Sequence, residues 1–390
     1  MASNSELVEL TGKYIISNYG RLPLAMVRGS VEKLWDADGR EYLDFFAGFG
    51  AGGVSGHCHP AVVAAVTQQA QTLLCHGNLF TNAPQVELAR GLAEKGFGGL
   101  SFFCHSGAEA VEAALKLARL CAGSGRYKII SFHHCFHGRT MGALSLTPEK
   151  YQKGFEPMLP GNVKVELNDI AAVDAAVDDQ TAGIIVEPIQ GEGGVNLPTV
   201  PFMQHLRRLC DQRKMALICD EVWCAPARTG KWFAYQHYGI EPDILSVAKA
   251  LGGGLPVAAM VAKPALAEKL VPGTHGCTMG GNPLCVAAGV AVMKLIEQEN
   301  LLEAANRKGQ FIISALKAAG IGRIKDIRGK GLMLGIALDG PGKEIVTACL
   351  QRGLLINCTQ DSVLRLAPPL VIADAQLQRG MEILIDVLKS

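Results

Sequence analysis

Short, nearly continuous apolar runs alternate with helical patterns through the central part of the chain. Five of these runs are candidate strands, over residues 127–132, 182–189, 215–222, 243–249 and 257–262. A strand with one face in water would alternate apolar and polar residues, so unbroken runs predict strands that are buried on both faces. The pattern therefore predicts an α/β fold with a mostly parallel central sheet that helices cover.

Helical periodicity separates the candidate strands. Apolar residues recur every three or four positions over residues 61–74, 84–95 and 108–120, which predicts three helices. The third segment begins with acidic residues and carries basic residues in its later turns, the order that the helix dipole favours. Further upstream, residues 32–46 predict a β-hairpin around the turn sequence "DADG".

The pattern changes after about residue 285, where a long helix is followed by a smaller α/β segment and a closing helix. We predict three parts. Residues 1–45 form an N-terminal segment that packs with the small domain, residues 46–285 form the large, site-bearing domain, and residues 286–390 form the C-terminal small domain.

Composition restricts the class of protein. Of the 390 residues, 49% are hydrophobic and 19% are charged, which is typical of a globular protein. The net charge of +1 lacks the basic excess of nucleic-acid binders. The first residues lack a signal-peptide pattern, and the apolar stretches are too short for a bilayer, so we expect a cytoplasmic protein without a membrane partner. The 12 cysteines form no C-x-x-C pair, which indicates reduced thiols.

Polar residues follow several candidate strands at the point where each strand ends, which is where open α/β sheets bind ligands. Asp220 and Glu221 end one strand, Glu187 ends another, and Lys249 ends a third. The sequence "SGAEA" opens a helix after an apolar run. Its free N–H groups would suit a phosphate. Taken alone, the segment is better explained as an ordinary helix cap, with Ser106 as the capping residue and Glu109 three positions later.

Lys249 and Asp220 have side chains with complementary chemistry. A lysine between apolar flanks has a lowered pKa and can form a Schiff base, although many lysines at strand ends are only solvated. A carboxylate held against a pyridine nitrogen keeps that nitrogen protonated. Together with a phosphate site at a helix start, these are the groups that pyridoxal phosphate requires.

Other motifs point to different chemistry and are rejected. "GFGAGG" matches a dinucleotide fingerprint but is not followed by a helix. The histidine-rich segments at residues 57–59 and 133–137 lack a second ligand group at the usual spacing, so we predict no metal site. A G-x-S-x-G elbow is absent from the sequence, which argues against a serine hydrolase.

An ordered series of motifs resembles the class III (ω-) aminotransferases of fold type I, and most closely the acetylornithine and ornithine aminotransferase branch. The motifs extend over nearly the whole chain and read "GHCHP", "SGAEAVEAALKLAR", "FHGRT", "VEPIQGEGG", "DEV…RTG", "AKALGGGLP", "MGGNPL", "RGKGLMLG" and "LRLAPPL". The resemblance implies a fold type I large domain, pyridoxal 5′-phosphate as cofactor and a homodimer with shared active sites.

The resemblance also implies roles for individual residues. Lys249 would form the Schiff base with the cofactor and move the proton, and Asp220 would pair with its ring nitrogen. The other cofactor-binding positions are Ser106, Gly107 and Ala108 at the phosphate, Phe136 and Val222 on the two ring faces, Trp223 beside the ring, and Thr278 at the phosphate in the neighbouring subunit.

Substrate binding is implied in the same way. Arg365 would bind a substrate carboxylate, Glu192 would cover that arginine while the ω-amine donor is bound, and Arg139 would be a second carboxylate-binding residue. For each arginine, a structural salt bridge is the alternative. The expected reaction is transamination from N-acetylornithine to 2-oxoglutarate, within arginine biosynthesis. Ornithine and 4-aminobutyrate remain alternative donors, and an aminomutase is a further alternative.

Two positions bear on the donor and on the cofactor. Relatives that use free ornithine resemble a pattern with tyrosine where this chain has Phe49, which favours the acetylated donor. The family pattern D-E-V-Q-T-G-x-G-R-T-G is here "DEVWCAPARTG". Trp223 therefore replaces a glutamine that normally hydrogen-bonds the cofactor phenolate. An indole N–H can donate one bond but is bulkier and cannot accept.

Overall fold

The computed structural model describes residues 2–390. Its strands, in chain order, are β1 (Met26–Ser30), β2 (Lys33–Asp36), β3 (Glu41–Asp44), β4 (Leu100–Cys104), β5 (Lys128–Phe132), β6 (Asn162–Val165), β7 (Thr181–Val186), β8 (Ala216–Asp220), β9 (Ile244–Val247), β10 (Ala258–Ala262), β11 (Ile324–Lys330), β12 (Met333–Leu338), β13 (Leu354–Leu355), β14 (Asn357–Thr359) and β15 (Val363–Leu366).

The helices, in chain order, are α1 (Asn4–Tyr14), α2 (Pro60–Thr72), α3 (Ala83–Lys95), α4 (Gly107–Ala122), α5 (Met141–Leu146), α6 (Ile170–Ala176), α7 (Val200–Arg213), α8 (Pro264–Ala267), α9 (Pro283–Gln298), α10 (Leu301–Ala318), α11 (Lys343–Gln351) and α12 (Asp374–Lys389). Within residues 2–390, no helix combines the length and the hydrophobicity needed to cross a membrane.

A seven-stranded sheet with the strand order β4-β10-β9-β8-β7-β5-β6 forms the centre of the protein. Its pairs are parallel except for β10, which runs antiparallel to β4 and β9. Every residue of β7, β8, β9 and β10 is buried, as the unbroken apolar runs predict. The mostly parallel α/β fold predicted from the sequence is confirmed.

Two strands of this sheet are not among the five predicted ones, namely β4 and β6. Both lie at the sheet edges, and each has partly exposed residues. An edge strand is covered less completely than a central one, so its sequence need not be a continuous apolar run. Partial exposure therefore explains why the hydrophobic pattern does not predict β6, whereas β4 is the apolar run before "SGAEA" and is not among the five predicted strands.

Two smaller sheets lie in the terminal parts of the chain. The hairpin β2–β3 forms around the predicted turn, and β13 from the C-terminal part pairs with β3 through Leu354 and Leu43. The strands β11-β12-β15-β14 form the other sheet. The pairing of β13 with β3 supports the proposed association of residues 1–45 with the small domain, 286–390, beside the large domain, 46–285.

Candidate active site

The carboxyl ends of several central strands converge on a cavity of about 460 Å³, a size common for small-molecule sites. Asp220 is the last residue of β8, and Lys249 follows β9 by two positions. Eleven of the residues singled out from the sequence line this cavity: Ser106, Gly107, Ala108, Phe136, Arg139, Glu187, Glu192, Asp220, Val222, Trp223 and Lys249. Residues far apart in the sequence are thus brought together at the carboxyl-terminal ends of the central strands.

The first turn of α4 combines a helix cap with free backbone donors. The Ser106 hydroxyl caps the Glu109 N–H, and the Glu109 carboxylate accepts from the Ser106 N–H at 2.8 Å. Gly107 and Ala108 follow, and their N–H groups have no acceptor among residues 2–390. A Cβ at Gly107 would lie 2.6 Å from Cγ1 of Val222, so only glycine fits beside the cavity wall. The turn is therefore both a cap and a suitable anion site.

Asp220 is held by a buried histidine that the sequence interpretation does not include. The Nδ1 atom of His137 lies 2.7 Å from a carboxylate oxygen of Asp220, and the N–H of Val222 donates to the other oxygen at 3.0 Å. Burial opposes a charge on His137, but Cys135 and the hydrogen bond to Asp220 outweigh it and raise the pKa of His137 well above its usual value. His137 directly follows Phe136 in the "FHGRT" motif, which was the available signal.

Two further buried carboxyl groups flank Asp220. Burial raises the pKa of Glu187 and of Glu221 to about 8. Glu187 lines the cavity and accepts from the Phe136 N–H at 3.0 Å, so it fixes the backbone of the aromatic wall. Glu221 instead accepts from the N–H groups of Ala234 and Tyr235 at 2.6 and 2.7 Å. These contacts support a structural role for Glu221.

Lys249 begins a short turn, Lys249–Gly252, with an unusual backbone conformation. Its φ of +45° lies in the left-handed region, which a non-glycine residue adopts at a cost of roughly 1–3 kcal/mol. Burial lowers the pKa of Lys249 to about 8, against the attraction of Glu192 and Asp220. An amine that is partly neutral near physiological pH can act as a nucleophile and as a proton carrier.

The indole of Trp223 is fixed by the loop after β3. Its N–H donates to the carbonyl of Phe49 at 2.7 Å. Two glycines make room for the ring, because a Cβ at Gly50 or Gly191 would lie 3.3 or 3.2 Å from it. Since the single indole donor is engaged by Phe49, Trp223 is not positioned to replace the glutamine as a donor to the cofactor phenolate.

The Trp223 ring lies close to two cationic groups of the site. The Lys249 ammonium lies 5.5 Å from the ring centroid, and the Arg365 guanidinium lies 5.2 Å from it. Cations over an aromatic face are attracted by the ring quadrupole. The indole therefore contacts both the Lys249 amine and the Arg365 guanidinium.

Replacing Trp223 by glutamine is expected to relax the choice of amine donor by roughly tenfold, because a change of pocket volume alters selectivity on that scale. The control is Trp223→Phe, which retains an aromatic wall but removes the N–H and part of the ring volume. The ratio of kcat/KM values for N-acetylornithine and ornithine measures the effect. Unchanged ratios in Trp223→Gln would contradict a role for the indole in selectivity.

Arg365 and Glu192 form a buried ion pair at the edge of the cavity. Nη1 of Arg365 lies 2.8 Å from Glu192 Oε1, and the exposed fractions of the two side chains are 2% and 27%. Nε and Nη2 of Arg365 donate to the side-chain oxygen of Asn357 at 2.9 and 2.6 Å. Asn357 lies opposite Arg365 in the β14–β15 pair, and no motif identified it from the sequence. Asn357 holds the side of the Arg365 guanidinium that carries Nε and Nη2. Only Glu192 therefore needs to move to expose the side that carries Nη1.

Arg139 and Thr278 occupy more open positions. Arg139 lines the cavity, and its guanidinium stacks 4.2 Å from the Tyr151 ring centroid. It has no carboxylate partner among residues 2–390, which does not support the alternative of a structural salt bridge. Thr278 is exposed, next to the exposed Met279, and lies outside the cavity lining.

The cavity residues fit pyridoxal phosphate in chemical terms. The open N–H groups of Gly107 and Ala108 suit the phosphate, and the glycine leaves space that a Cβ would fill. The Asp220 carboxylate suits a protonated ring nitrogen, and Lys249 provides an amine for the aldehyde. Phe136 supplies an aromatic surface for a ring face.

Comparison with known proteins places the chain in a family. The model of the aminotransferase class-III family matches residues 14–388. The chain belongs to the class III aminotransferases. An acetylornithine aminotransferase of Caldanaerobacter subterraneus subsp. tengcongensis is 46% identical over 386 residues, which cover 96% of this chain and 97% of that protein.

Solved structures of class III aminotransferases agree over the whole chain. An ornithine aminotransferase from Toxoplasma gondii matches with a TM-score of 0.95 at 33% identity, covering 99% of this chain and 94% of that one. An acetylornithine aminotransferase from Elizabethkingia anophelis matches with a TM-score of 0.88 at 32% identity, covering 100% and 99%. The chain is a pyridoxal-phosphate-dependent aminotransferase of fold type I that acts on small amino and keto acids, as the motifs imply.

Proposed function

We propose that this class III aminotransferase transfers the ω-amine of N-acetylornithine to 2-oxoglutarate, giving N-acetylglutamate 5-semialdehyde and glutamate, a reaction of arginine biosynthesis. The observation that carries the proposal is the position of the Arg365–Glu192 pair beside Lys249 and Trp223 at a single cavity. An exposable arginine next to a reactive amine suits an enzyme that binds two different acids in turn.

We infer that Ser106, Gly107 and Ala108 hold the phosphate, Asp220 holds the ring nitrogen, and Phe136 and Val222 contact the ring faces. Bound pyridoxal phosphate supplies an electron sink that stabilises negative charge at the carbon bearing the amine. The buried carboxylate contributes by keeping a positive charge on the ring favourable, and His137 keeps that carboxylate oriented.

Lys249 carries the proton in this proposal. Its pKa of about 8 leaves a substantial neutral fraction near neutral pH, so the amine can remove a proton and return it. A lysine with the ordinary value of 10.5 would be almost entirely charged there. The surrounding apolar strands thus give the amine its basicity, and the neighbouring acids keep the pKa from falling further.

Arg365 serves the two substrates in different states. With Glu192 in place, Glu192 and Asn357 occupy both sides of the Arg365 guanidinium. The guanidinium then binds no substrate carboxylate, and the donor can place its distal amine at Lys249. When Glu192 turns away, the buried guanidinium is free to take a carboxylate of 2-oxoglutarate in a bidentate pair. Arg139, unpaired by any described carboxylate, is suited to the second carboxylate.

Replacing Glu192 by glutamine is expected to shift the balance between the two half-reactions. Arg365 would then be open to carboxylates throughout, so glutamate should improve as an amine donor relative to N-acetylornithine. We expect a change in that ratio of roughly 30-fold or more, since one partner of a buried charge pair is worth about 2 kcal/mol or more. Rapid-mixing absorption of each half-reaction measures it.

The exposed Glu166 provides the control for this substitution, because it is an acid outside the cavity lining. Glu166→Gln should leave both half-reactions unchanged. If Glu192→Gln left the glutamate-to-acetylornithine ratio at its wild-type value, the masking role of Glu192 would be wrong.

The choice of N-acetylornithine as donor rests on Phe49 and on the relatives. Phe49 packs edge-on against Phe46, with ring centroids 4.7 Å apart, and offers no hydroxyl to a free α-amine. Similar full-length proteins at 40–46% identity are acetylornithine aminotransferases. Steady-state assays with N-acetylornithine, ornithine and 4-aminobutyrate, each with 2-oxoglutarate, test the proposal. A clearly higher kcat/KM for either of the other donors would overturn it.

Ornithine is the second candidate donor, because the Toxoplasma gondii ornithine aminotransferase is similar along the whole chain. An aminomutase is disfavoured by the retained Arg365–Glu192 pair, since a reaction within one molecule needs no alternation between two acids. Amine transfer to 2-oxoglutarate separates the two classes.

We also propose a homodimer in which Thr278 reaches the phosphate site of the partner subunit. Its exposed position outside the cavity supports this, as do the exposed apolar residues Leu79, Phe80 and Met279 on the same side of the fold. Light scattering of the purified holoenzyme measures the mass. A monomer that is fully active would contradict the shared site.

A further inference from the structure

Three side chains with metal-ligand chemistry meet next to the first turn of α4. His105 precedes the turn, Glu109 lies within it, and Cys277 comes from the loop before α9. One ligand atom from each lies within 4.8 Å of the other two. We propose that these residues form a binding site for a borderline-soft divalent cation, with Zn²⁺ as the best match. The sequence alone predicts none, because the ligands come from separate segments.

The two separations from Nδ1 of His105 match a tetrahedral zinc site. Zinc binds nitrogen and oxygen at roughly 2.0–2.1 Å and sulfur at about 2.3 Å, which places N and S roughly 3.6 Å apart and N and O roughly 3.3 Å apart. In this chain, Nδ1 of His105 lies 3.4 Å from Cys277 Sγ and 3.2 Å from Glu109 Oε1. A cation could therefore bind all three atoms with little rearrangement.

Hydrogen bonding among the neutral forms leaves this cluster incompletely satisfied. The Nδ1 atom of a neutral histidine either donates to the Glu109 carboxylate or accepts from the Cys277 thiol, but it cannot do both. A bound cation replaces both contacts, because nitrogen, carboxylate and thiolate all act as electron-pair donors toward it.

Neighbouring groups already orient the ligands. Oε2 of Glu109 accepts from the N–H groups of His105 and Ser106 at 3.0 and 2.8 Å, so Oε1 is left for the cluster. The N–H of Gly280 donates to the backbone carbonyl of Cys277 at 3.2 Å, which fixes the loop at this ligand. Supporting hydrogen bonds of this kind are typical around metal ligands.

The site is reachable from solvent and has a consequence for the cavity. The side chains of His105 and Glu109 are 36% and 39% exposed, and His105 also lines the cavity. A cation here would join the loop of Cys277 to the start of α4 and add positive charge beside the proposed phosphate site. Three protein ligands leave a fourth position open to water or another small ligand.

The test uses untagged holoenzyme, freed of metal with a chelator and titrated with Zn²⁺ or with Co²⁺ as a coloured substitute. We expect one ion per chain and, with Co²⁺, visible absorption of a tetrahedral thiolate site at longer wavelength than the cofactor. Cys277→Ser should weaken binding by about 100-fold or more, since even supporting residues contribute 10–100-fold to metal affinity.

Two further variants keep the result interpretable. Cys358→Ser, a partly buried cysteine in β14, should bind like the wild type. His105→Gln tests the site independently if Cys277→Ser fails to fold or to retain cofactor absorption. The proposal is wrong if neither metal binds at micromolar concentration, or if Cys277→Ser and His105→Gln both bind like the wild type. Since binding is measured directly, this result is independent of the donor that the enzyme uses.

Discussion

Replacing Lys249 by alanine is expected to lower transaminase kcat/KM by at least about 10²–10⁴-fold and at the same time to raise the melting temperature of the apoenzyme. The loss of activity follows from removing the proposed proton carrier, whose contribution is typically of that size. The gain in stability follows from removing a charge that the folded chain disfavours. A fall in kcat/KM together with a rise in melting temperature would distinguish Lys249 from a lysine with only a structural role.

The stability effect has a defined sign and pH range. Burial lowers the pKa of Lys249 from 10.5 to about 8, which corresponds to roughly 3 kcal/mol against the charged form in the folded state. Between these two pH values the unfolded chain binds more protons than the folded chain, so stability of the apoenzyme rises with pH across the window. At neutral pH the full cost is present, and Lys249→Ala removes it.

Lys214 offers a matched control, because it is an exposed lysine whose φ of +50° lies in the same left-handed region. Lys214→Ala should change neither activity nor the melting temperature by a comparable amount. Alanine keeps the backbone restriction at both positions, so the comparison isolates the side chain. A fall in apoenzyme melting temperature for Lys249→Ala would show that the buried ammonium is stabilising, contrary to expectation.

The central fold and the main site positions could be predicted from the sequence because they depend on local patterns. Buried strands such as β7 and β8 consist of continuous apolar runs in the sequence. Asp220 and Lys249 are polar residues at the ends of such runs. Parallel strands bring their carboxyl ends to one edge, so strand-end residues meet without any further information. The capping pattern at Ser106 is likewise local.

Contacts between distant segments could not be predicted in this way. The Phe49 carbonyl that holds the indole of Trp223 is 174 residues away from it, and its availability depends on the loop conformation rather than on side-chain type. Asn357 meets Arg365 through strand register, and His137 meets Asp220 across the sheet. Residue type does not reveal which backbone carbonyl is free or which residues face each other across a sheet. The sequence therefore did not predict the Phe49 carbonyl, Asn357 or His137 as partners.

Asp220→Asn is expected to lower kcat by roughly 10³-fold, the scale for losing one pre-oriented electrostatic group, while Glu221→Gln changes it only a few-fold. The neighbouring acids differ because Asp220 lines the cavity and pairs with His137, whereas Glu221 caps backbone N–H groups with a pKa of about 8. Glutamine keeps one acceptor oxygen for these two N–H groups, so Glu221→Gln is expected to lower stability while leaving the groups that line the cavity in place.

The pKa of His137 gives a readout that is independent of turnover. Cys135 and the pairing with Asp220 outweigh burial and hold this pKa well above 6.5, so these contacts stabilise the fold fully below that pH, and the contribution is lost as pH rises through the raised pKa. In Asp220→Asn the contribution of the Asp220 charge is lost while that of Cys135 remains, so the pKa of His137 should fall relative to the wild type. NMR titration of the imidazole measures this. A pKa of His137 that is unchanged in Asp220→Asn would contradict the pairing with Asp220. A loss of activity in Glu221→Gln as large as that in Asp220→Asn would contradict the structural role of Glu221.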